Sequence, residues 1–303
     1  MKSATRILAA LLCVLLLLPT VVFAEAQPSL EKQIAQSAEG MSALGGKKGE
    51  LLKDRELFPA GDSVCDWLAI AMALSGTREG YSDYLAELKA HVEDAYAKNG
   101  CLDRNKATEY HRISLTVLAL GGNPTDFGTK PDGSAIDLIA EGTYNYARDP
   151  GAQGLNGWIW ALLTLDAGYT EVPADALYSR EDMVNAISVA QEPDGGFGLI
   201  PGKSDVDITA MAVQALAPYR DQMETEIDAA LSYLSGQLTD TCGYIAYGDE
   251  NAESTAQVIL ALCALGIDPE TDSCFVKGEH TLLTELSQFR EADGTYRPVL
   301  EGA

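Results

Sequence analysis

Basic residues and histidine are scarce in this chain of 303 residues. Only 21 Lys and Arg stand against 45 Asp and Glu, which gives a net charge of −24 at pH 7, and there are 3 His. The lack of clustered positive charge excludes nucleic acid and anionic lipid as expected partners, because both are bound by runs of Lys and Arg. A hydrophobic fraction of 47% is enough for a substantial core, so a disordered chain is excluded as well.

Cysteine is also sparse, and the N-terminal sequence indicates the compartment in which the cysteines are found. Lys2 and Arg6 precede an apolar run over residues 7–22, and small residues at positions 22 and 24 suit signal peptidase. Cys13 lies inside the apolar run, where it cannot serve as a lipid attachment site, and no second run could span a membrane. We therefore expect a signal peptide at 1–24 and a secreted protein, extracellular or at the cell surface, with no membrane contact after cleavage.

Five cysteines remain after residue 24, which is too few for a disulfide scaffold in an exported chain of this size. The sequence leaves open whether two of the three residues Cys242, Cys263 and Cys274 form a disulfide, because pairing cannot be deduced from sequence.

Apolar segments rich in Ala and Leu recur at intervals of 45 to 51 residues, measured between their closing leucines. Six amphipathic segments with a charged stripe alternate with them. This alternation predicts an all-α protein in which uncharged inner helices are surrounded by amphipathic outer helices, in a solenoid or in a closed ring. The predicted inner segments are 67–74, 113–120, 157–165, 208–216 and 256–265, and the outer ones are 30–39, 84–98, 136–147, 180–191, 226–237 and 280–289.

Helix starts are predicted where a hydroxyl residue is followed three positions later by a carboxylate, because both side chains can bind free backbone N–H groups there. This pattern occurs at Ser63/Asp66, Ser134/Asp137, Ser179/Asp182, Ser204/Asp207 and Thr225/Asp228.

Several connections after outer helices combine glycine with an aromatic residue. The segment QEPDGGF at 191–197 is similar to the Gln-x3-Gly-x-aromatic part of the terpenoid cyclase repeat, and 205–216 and 251–268 resemble inner helices of secreted bacterial members. Over residues 60–300 the chain resembles the α/α toroids of terpenoid cyclases and protein prenyltransferases, which include the cobalamin carriers. The resemblance implies an (α/α)6 toroid and says less about chemistry.

The helix count predicts a ring that lacks its last inner helix. We expect a signal peptide at 1–24, a segment at 25–59 that holds the first outer helix, and toroid repeats at 60–303 that are incomplete at the C-terminus. An exposed hydrophobic groove is then expected beside the 256–265 helix. A missing C-terminal domain or a partner protein would cover it.

An acid motif is present in altered form. The residues Asp205-Val206-Asp207-Ile208-Thr209 resemble the Asp-x-Asp-Asp-Thr motif of class II terpene cyclases, which implies Asp207 as a proton donor with Asp205 beside it. Ile208 replaces the neighbouring carboxylate, and an exposed lone Asp would be ionised at neutral pH. We therefore predict no catalytic residue and interpret Asp207 as a helix cap. A terpenoid cyclase or prenyltransferase-like enzyme with Asp207 as the acid is the alternative.

Metal chemistry is not predicted either. His91, His111 and His280 have no Cys or carboxylate nearby in the spacing of a metal site, whereas the protein prenyltransferases bind zinc through Asp, Cys and His. We predict no metal and no cofactor.

The remaining functional feature is a set of polar and aromatic residues near the inner-helix N-termini, which would converge on one end of the central cavity and suit a small ligand. We therefore predict a non-catalytic binding or cell-surface interaction module for a small molecule or a protein, and resemblance to the cobalamin carriers suggests a corrinoid. The residues are Asp62, Cys65, Asp66, Trp67, Tyr110, His111, Arg112, Asn156, Trp158, Trp160, Asp205, Asp207, Asn251, Glu253 and Ser254.

Overall fold

The computed structural model describes residues 30–44, 51–76, 79–246 and 248–300. The predicted signal peptide, including Cys13, lies outside these residues. Within them the chain is all-α, with eleven α-helices and two short antiparallel hairpins. In the hairpins, Ile245 is opposite Glu250 and Val276 is opposite Thr281.

The helices are numbered in chain order, so that even numbers are inner helices and odd numbers are outer helices. The inner helices are α2 (Ser63–Leu74), α4 (Ala107–Ala119), α6 (Asn156–Ala167), α8 (Val206–Leu216) and α10 (Ala252–Ala264). The outer helices are α1 (Leu30–Leu44), α3 (Tyr81–Asn99), α5 (Leu138–Gly142), α7 (Arg180–Ser188), α9 (Glu224–Gly236) and α11 (Leu282–Gln288). The strands are β1 (Ile245–Ala246), β2 (Asp249–Glu250), β3 (Val276–Lys277) and β4 (His280–Thr281), and 3-10 helices span Leu51–Lys53, Pro124–Asp126, Pro150–Gln153 and Ala217–Tyr219.

The inner helices curve around a common axis. Each packs against the next, in the order α2, α4, α6, α8 and α10. The Trp67 and Trp160 rings, from α2 and α6, meet with centroids 5.1 Å apart although α4 lies between these helices in the order. This contact requires a curved arrangement, and it confirms the predicted α/α toroid.

The outer layer is continued by α1 at the C-terminal side of the ring. Arg290 Nη2 donates to Gln36 Oε1 at 2.7 Å. Gly294 packs on the same turn of α1, where a Cβ would lie 2.5 Å from the Gln36 carbonyl oxygen. The 30–39 segment is therefore the start of an outer helix, as predicted.

Five inner helices are found among the described residues, and residues 289–300 cross the start of α10 in place of a sixth. The Ala252 N–H donates to the Pro298 carbonyl at 3.0 Å, and Asn251 pairs with Val299. At the other end of α10, Cys263 and Ala264 are exposed while Leu260 is half-buried. The exposed residues Cys263 and Ala264 thus lie in its C-terminal turn, and the groove beside this helix stays a prediction.

Three outer helices are shorter than predicted, and the difference is largest for α5. The 136–147 segment forms only α5, which ends at Gly142. A Cβ on Gly142 would lie 2.2 Å from the Tyr110 Cβ, and His111 Nε2 donates to the Gly142 carbonyl at 2.6 Å. Contacts with α4 therefore end α5 earlier than its amphipathic pattern indicates.

Most of the predicted caps are wrong by one or more residues. Only Ser179 forms the capping box, with Asp182. The side chains that cap α2, α5 and α8 are Asp62, Asp137 and Asp205, while α9 begins without a side-chain cap. Asp66 and Asp207 therefore do not cap the helices on which they lie.

Glycine allows α6 to lie against the preceding 3-10 helix. A Cβ on Gly157 would lie 1.7 Å from the Pro150 carbonyl oxygen. By contrast, a Cβ on Gly236 in α9 would meet no atom within 4 Å.

The five cysteines among the described residues are all free, so no disulfide forms among Cys242, Cys263 and Cys274. Over the same residues, no helix is long and apolar enough to cross a membrane.

Candidate functional site

The candidate site is at the N-terminal end of α6, α8 and α10. One outer helix returns the chain between successive inner helices, so the inner helices run in the same direction. Asp205 fixes the first turn of α8 by accepting from the Ile208 N–H at 3.0 Å, and Asn251 fixes that of α10 by accepting from the Ser254 N–H at 3.0 Å. Asp207 and Glu253 each follow their cap by two residues, so they occupy equivalent positions on adjacent helices.

Four polar side-chain atoms at this end are buried and have no partner within hydrogen-bond distance, although the Ser254 hydroxyl is close enough to Asp207 to lower its pKa. Nearly all buried polar atoms in folded proteins are hydrogen-bonded, so unpaired ones mark places that water, an ion or another molecule can fill. The atoms are Asn156 Oδ1, Asp207 Oδ1, Glu253 Oε2 and Ser254 Oγ.

The two carboxyl groups interact electrostatically. Burial raises the pKa of Asp207; the nearby Ser254 side chain opposes this effect, and the charge of Asp205 adds to it. Burial likewise raises the pKa of Glu253, its own backbone N–H lowers it, and the charge of Asp207 raises it further. Among the described residues neither group has a basic partner in an ion pair. The pair can therefore hold a proton or a positively charged ligand.

Asp207 differs from its predicted description. It was expected to be an exposed lone carboxylate near its ordinary pKa, or else a cap. In the structure the cap is Asp205, Asp207 is half-buried, and Glu253 from the next inner helix supplies a second carboxyl group. Ile208 interrupts the motif in sequence, but it does not leave Asp207 without an acidic neighbour.

Aromatic side chains lie one helical turn further along. Trp160 follows Asn156 by four residues on α6, and it contacts Trp67. Trp158 points elsewhere, because its ring meets Tyr178 edge-on with centroids 5.1 Å apart. Of the three predicted tryptophans, Trp67 and Trp160 thus contact each other, whereas Trp158 packs on Tyr178.

Two amides were missed by the sequence interpretation. Gln214 Nε2 donates to Gln257 Oε1 at 3.0 Å, between α8 and α10. Gln214 is seven residues after Asp207, and Gln257 is four after Glu253, so helical spacing alone could have placed them on the same faces.

Asp66 and Arg112 belong to a separate buried network. Arg112 Nε donates to Asp66 Oδ2 at 2.9 Å, and Asp66 Oδ1 accepts from the Tyr84 hydroxyl at 2.7 Å and the Gly61 N–H at 3.0 Å. Arg112 also contacts Glu109 at 2.8 Å. These contacts occupy both side chains and join α2, α3 and α4, so the network stabilises the fold.

The other predicted residues near α2 and α4 also have local partners. Tyr110 accepts from the Leu102 N–H at 3.0 Å, and Asp62 accepts from the N–H groups of Val64 and Cys65. Cys65 is buried, and burial together with the Asp62 charge raises its pKa to about 12. Burial lowers the pKa of His111 to about 4, so its ring is neutral.

An open cleft of about 940 Å³ lies at the opposite end of α6. Two of its charged residues are already paired, because Arg180 contacts Asp166 and donates to the Tyr219 hydroxyl at 2.9 Å and the Thr170 carbonyl at 2.7 Å. The cleft contains none of the predicted ligand residues. Nor is there, within the described ranges, a group of three or more His, Cys, Asp or Glu side chains that could hold a metal ion.

Searches of protein-family models and of curated proteins find no match. Among solved structures, the chain is similar to the ligand-free type II terpene cyclase MstE from Scytonema, with a TM-score of 0.38 and 14% sequence identity. The match covers 97% of this chain and 71% of that chain.

Stability measurements can separate the cap from the site residue. Replacing Asp205 with Ala should lower the free energy of unfolding by about 1 kcal/mol, because α8 loses its N-cap. Replacing Asp207 with Asn should raise it by about 1 kcal/mol at pH 8, because a buried charge without a basic partner is removed. A pKa that is raised in the folded state destabilises the protein only at pH values above the pKa of the unfolded state. The stability gained through Asp207→Asn should therefore vanish near pH 4. Urea unfolding at both pH values measures this, and a loss at pH 8 for Asp207→Asn contradicts it.

Proposed function

We propose that this protein is a secreted, non-catalytic binding module whose ligand is a small molecule held at the N-terminal end of α6, α8 and α10. The observation that supports this best is the set of four buried, unpartnered polar atoms on three consecutive inner helices. A ligand that pairs with these atoms would remove the energetic penalty of leaving them without hydrogen bonds.

The site favours a small organic cation with N–H donors. Asp207 Oδ1, Glu253 Oε2 and Asn156 Oδ1 are all acceptors, and the two carboxyl groups lack a basic partner among the described residues. The Trp67 and Trp160 rings add an aromatic surface of the kind that binds ammonium groups. The corrinoid suggested by family resemblance stays a prediction, and cyanocobalamin belongs in the same binding assay.

Calorimetric titration with putrescine, choline and cyanocobalamin tests the proposal. For an amine that binds, the double variant Asp207→Asn/Glu253→Gln should weaken affinity at least about ten-fold, since hydrogen bonds to charged groups contribute about 1.5–3 kcal/mol. Glu181→Gln, an exposed glutamate on α7, is the matched control and should bind as the wild type does. Equal affinities in the double variant and the wild type would place the ligand elsewhere.

A second candidate function is acid catalysis by Asp207. It is favoured by the raised pKa of Asp207 and by the Glu253 carboxyl beside it, since a raised pKa keeps a carboxyl protonated to a higher pH and a protonated carboxyl can donate to an alkene or epoxide. Incubation with isoprenoid alkenes and epoxides should then give cyclised products with the wild type and none with Asp207→Asn. Product formation that survives this substitution excludes the acid role.

A further inference from the structure

A second pair of carboxyl groups lies outside the ring, between α11 and the first hairpin. Glu285 on α11 has no solvent exposure. Its Oε2 accepts from Gln288 Nε2 at 2.6 Å, while its Oε1 accepts from no donor and interacts only with the Glu250 carboxyl. A fully buried carboxyl with one unpaired oxygen is costly to ionise.

Glu250, the last residue of β2, faces Glu285 across Gly243. A Cβ on Gly243 would lie 3.2 Å from Glu285 Oε1 and 3.3 Å from Glu250 Oε1, so the two oxygens flank the same point. Glu250 Oε1 also accepts from the Thr241 hydroxyl at 2.6 Å. Two carboxyl groups placed this way are compatible when one is protonated and the other ionised.

In the described part of the chain, neither Glu250 nor Glu285 forms an ion pair with a basic residue, and the nearby Lys277 lies 3.9 Å from Asp240. Lys277 in β3 donates to the Leu238 carbonyl at 2.7 Å, and the Cys242 thiol donates to the His280 carbonyl at 3.1 Å. The His280 side chain in β4 is exposed. In α10, the acidic residue closest to Glu250 in sequence is Glu253.

The two carboxyl groups have opposite protonation preferences. Burial, and then the charge of Glu250, raise the pKa of Glu285 to about 7. Burial also raises the pKa of Glu250, but hydrogen bonds from Thr239, Thr241 and Glu285 together outweigh it, so the net shift is downward. Glu285 is therefore the group that holds the proton.

The hairpin leads directly into the candidate ligand site. Glu250 is followed by Asn251, the N-cap of α10, and then by Glu253 and Ser254. The Asn251 N–H donates to the Tyr244 carbonyl at 2.9 Å, so the hairpin holds the first turn of α10 in place.

We propose that a proton held between Glu285 and Glu250 fastens the hairpin of residues 239–250 to α11, and that its loss to solvent releases the hairpin and weakens ligand binding at the start of α10. No bond other than the O–H of Glu285 breaks, and the proton goes to water or buffer. The effect on ligand affinity rests on the proposed function, whereas the release of the hairpin does not.

Hydrogen exchange with no ligand present tests the release. At each pH the exchange rates of the wild type and Glu285→Gln are compared over residues 239–256, so that the intrinsic pH dependence cancels. We expect equal rates at pH 5.5 and about ten-fold faster exchange in the wild type at pH 8, when Glu285 is ionised. Glu279→Gln, an exposed neighbour, should behave as the wild type. A wild-type to Glu285→Gln ratio that stays near one at pH 8 overturns the proposal.

Glu250→Gln gives an independent test should Glu285→Gln fail to fold. Without the charge of Glu250, ionisation of Glu285 becomes easier, so the pH at which exchange accelerates should move downward. If Glu250→Gln leaves the pH midpoint of this acceleration unchanged, the proposal is overturned as well. Putrescine titration at pH 5.5 and 8 tests the binding function separately. If putrescine binds at neither pH, the proposed binding function is wrong, and hydrogen exchange still tests the release of the hairpin.

Discussion

Replacing Arg112 with Met is expected to lower the free energy of unfolding by about 3–5 kcal/mol, because it leaves a fully buried carboxylate without its counter-charge. Asp66 has no solvent exposure, and Arg112 is 6% exposed. The same substitution removes the donor to the Gly61 carbonyl, 3.0 Å away. Urea unfolding followed by circular dichroism at pH 7 gives the difference.

Two controls separate the buried pair from general effects of losing an arginine. Arg55→Met removes the pair with Glu87, in which the arginine is 65% exposed, and it should change stability by less than about 1 kcal/mol. Adding Asp66→Asn to Arg112→Met should recover much of the loss, because Asn keeps an acceptor for Tyr84 and Gly61 but carries no charge. A single Arg112→Met variant that matches the exposed control would show that the pair is not important for stability.

Replacing Gly157 with Ala is expected to destabilise the protein by about 3 kcal/mol. The added methyl would lie 1.7 Å from the Pro150 carbonyl oxygen, so α6 or the Pro150–Gln153 turn must move. Because Asn156 and Trp160 are on the same helix, ligand binding should weaken as well. Thermal unfolding measures the first effect, and putrescine titration at a temperature where the variant is folded measures the second.

Gly236→Ala is the matched control for Gly157→Ala. Gly236 is also in an α-helix, but nothing lies within 4 Å of its missing Cβ. Alanine has the higher helix propensity, so this variant should gain about 0.5–1 kcal/mol. If both variants lose stability equally, backbone strain rather than the contact with Pro150 explains the loss.

The architecture could be predicted because each helix carries its own signal. The Ala/Leu-rich segments at 157–165 and 208–216 became α6 and α8, since uncharged helices must be covered on all sides. The ends were harder to predict. The end of α5 is determined by Tyr110 and His111, which no pattern within 136–147 reveals.

The proximity of Asp207 to Glu253 could be predicted from the sequence, but their protonation could not. Equivalent positions in the repeats placed Asp207 and Glu253 at the same end of the ring. Their burial and mutual charge depend on how α8 packs against α10, which a single sequence does not specify. The Glu250 and Glu285 pair had no signal at all, because the two residues belong to different elements and match no motif.

The contact between α1 and residues 290–294 changes how a repeat protein of this kind can unfold. In an open array each repeat touches only its neighbours, so the end repeats fray first. Here Gln36 and Arg290 are joined across 254 positions of sequence, and Gly294 packs on the same turn of α1. The described repeats are therefore joined end to end, and we expect the end repeats to resist fraying. Such distant contacts form late in folding because they carry the largest loop-closure entropy.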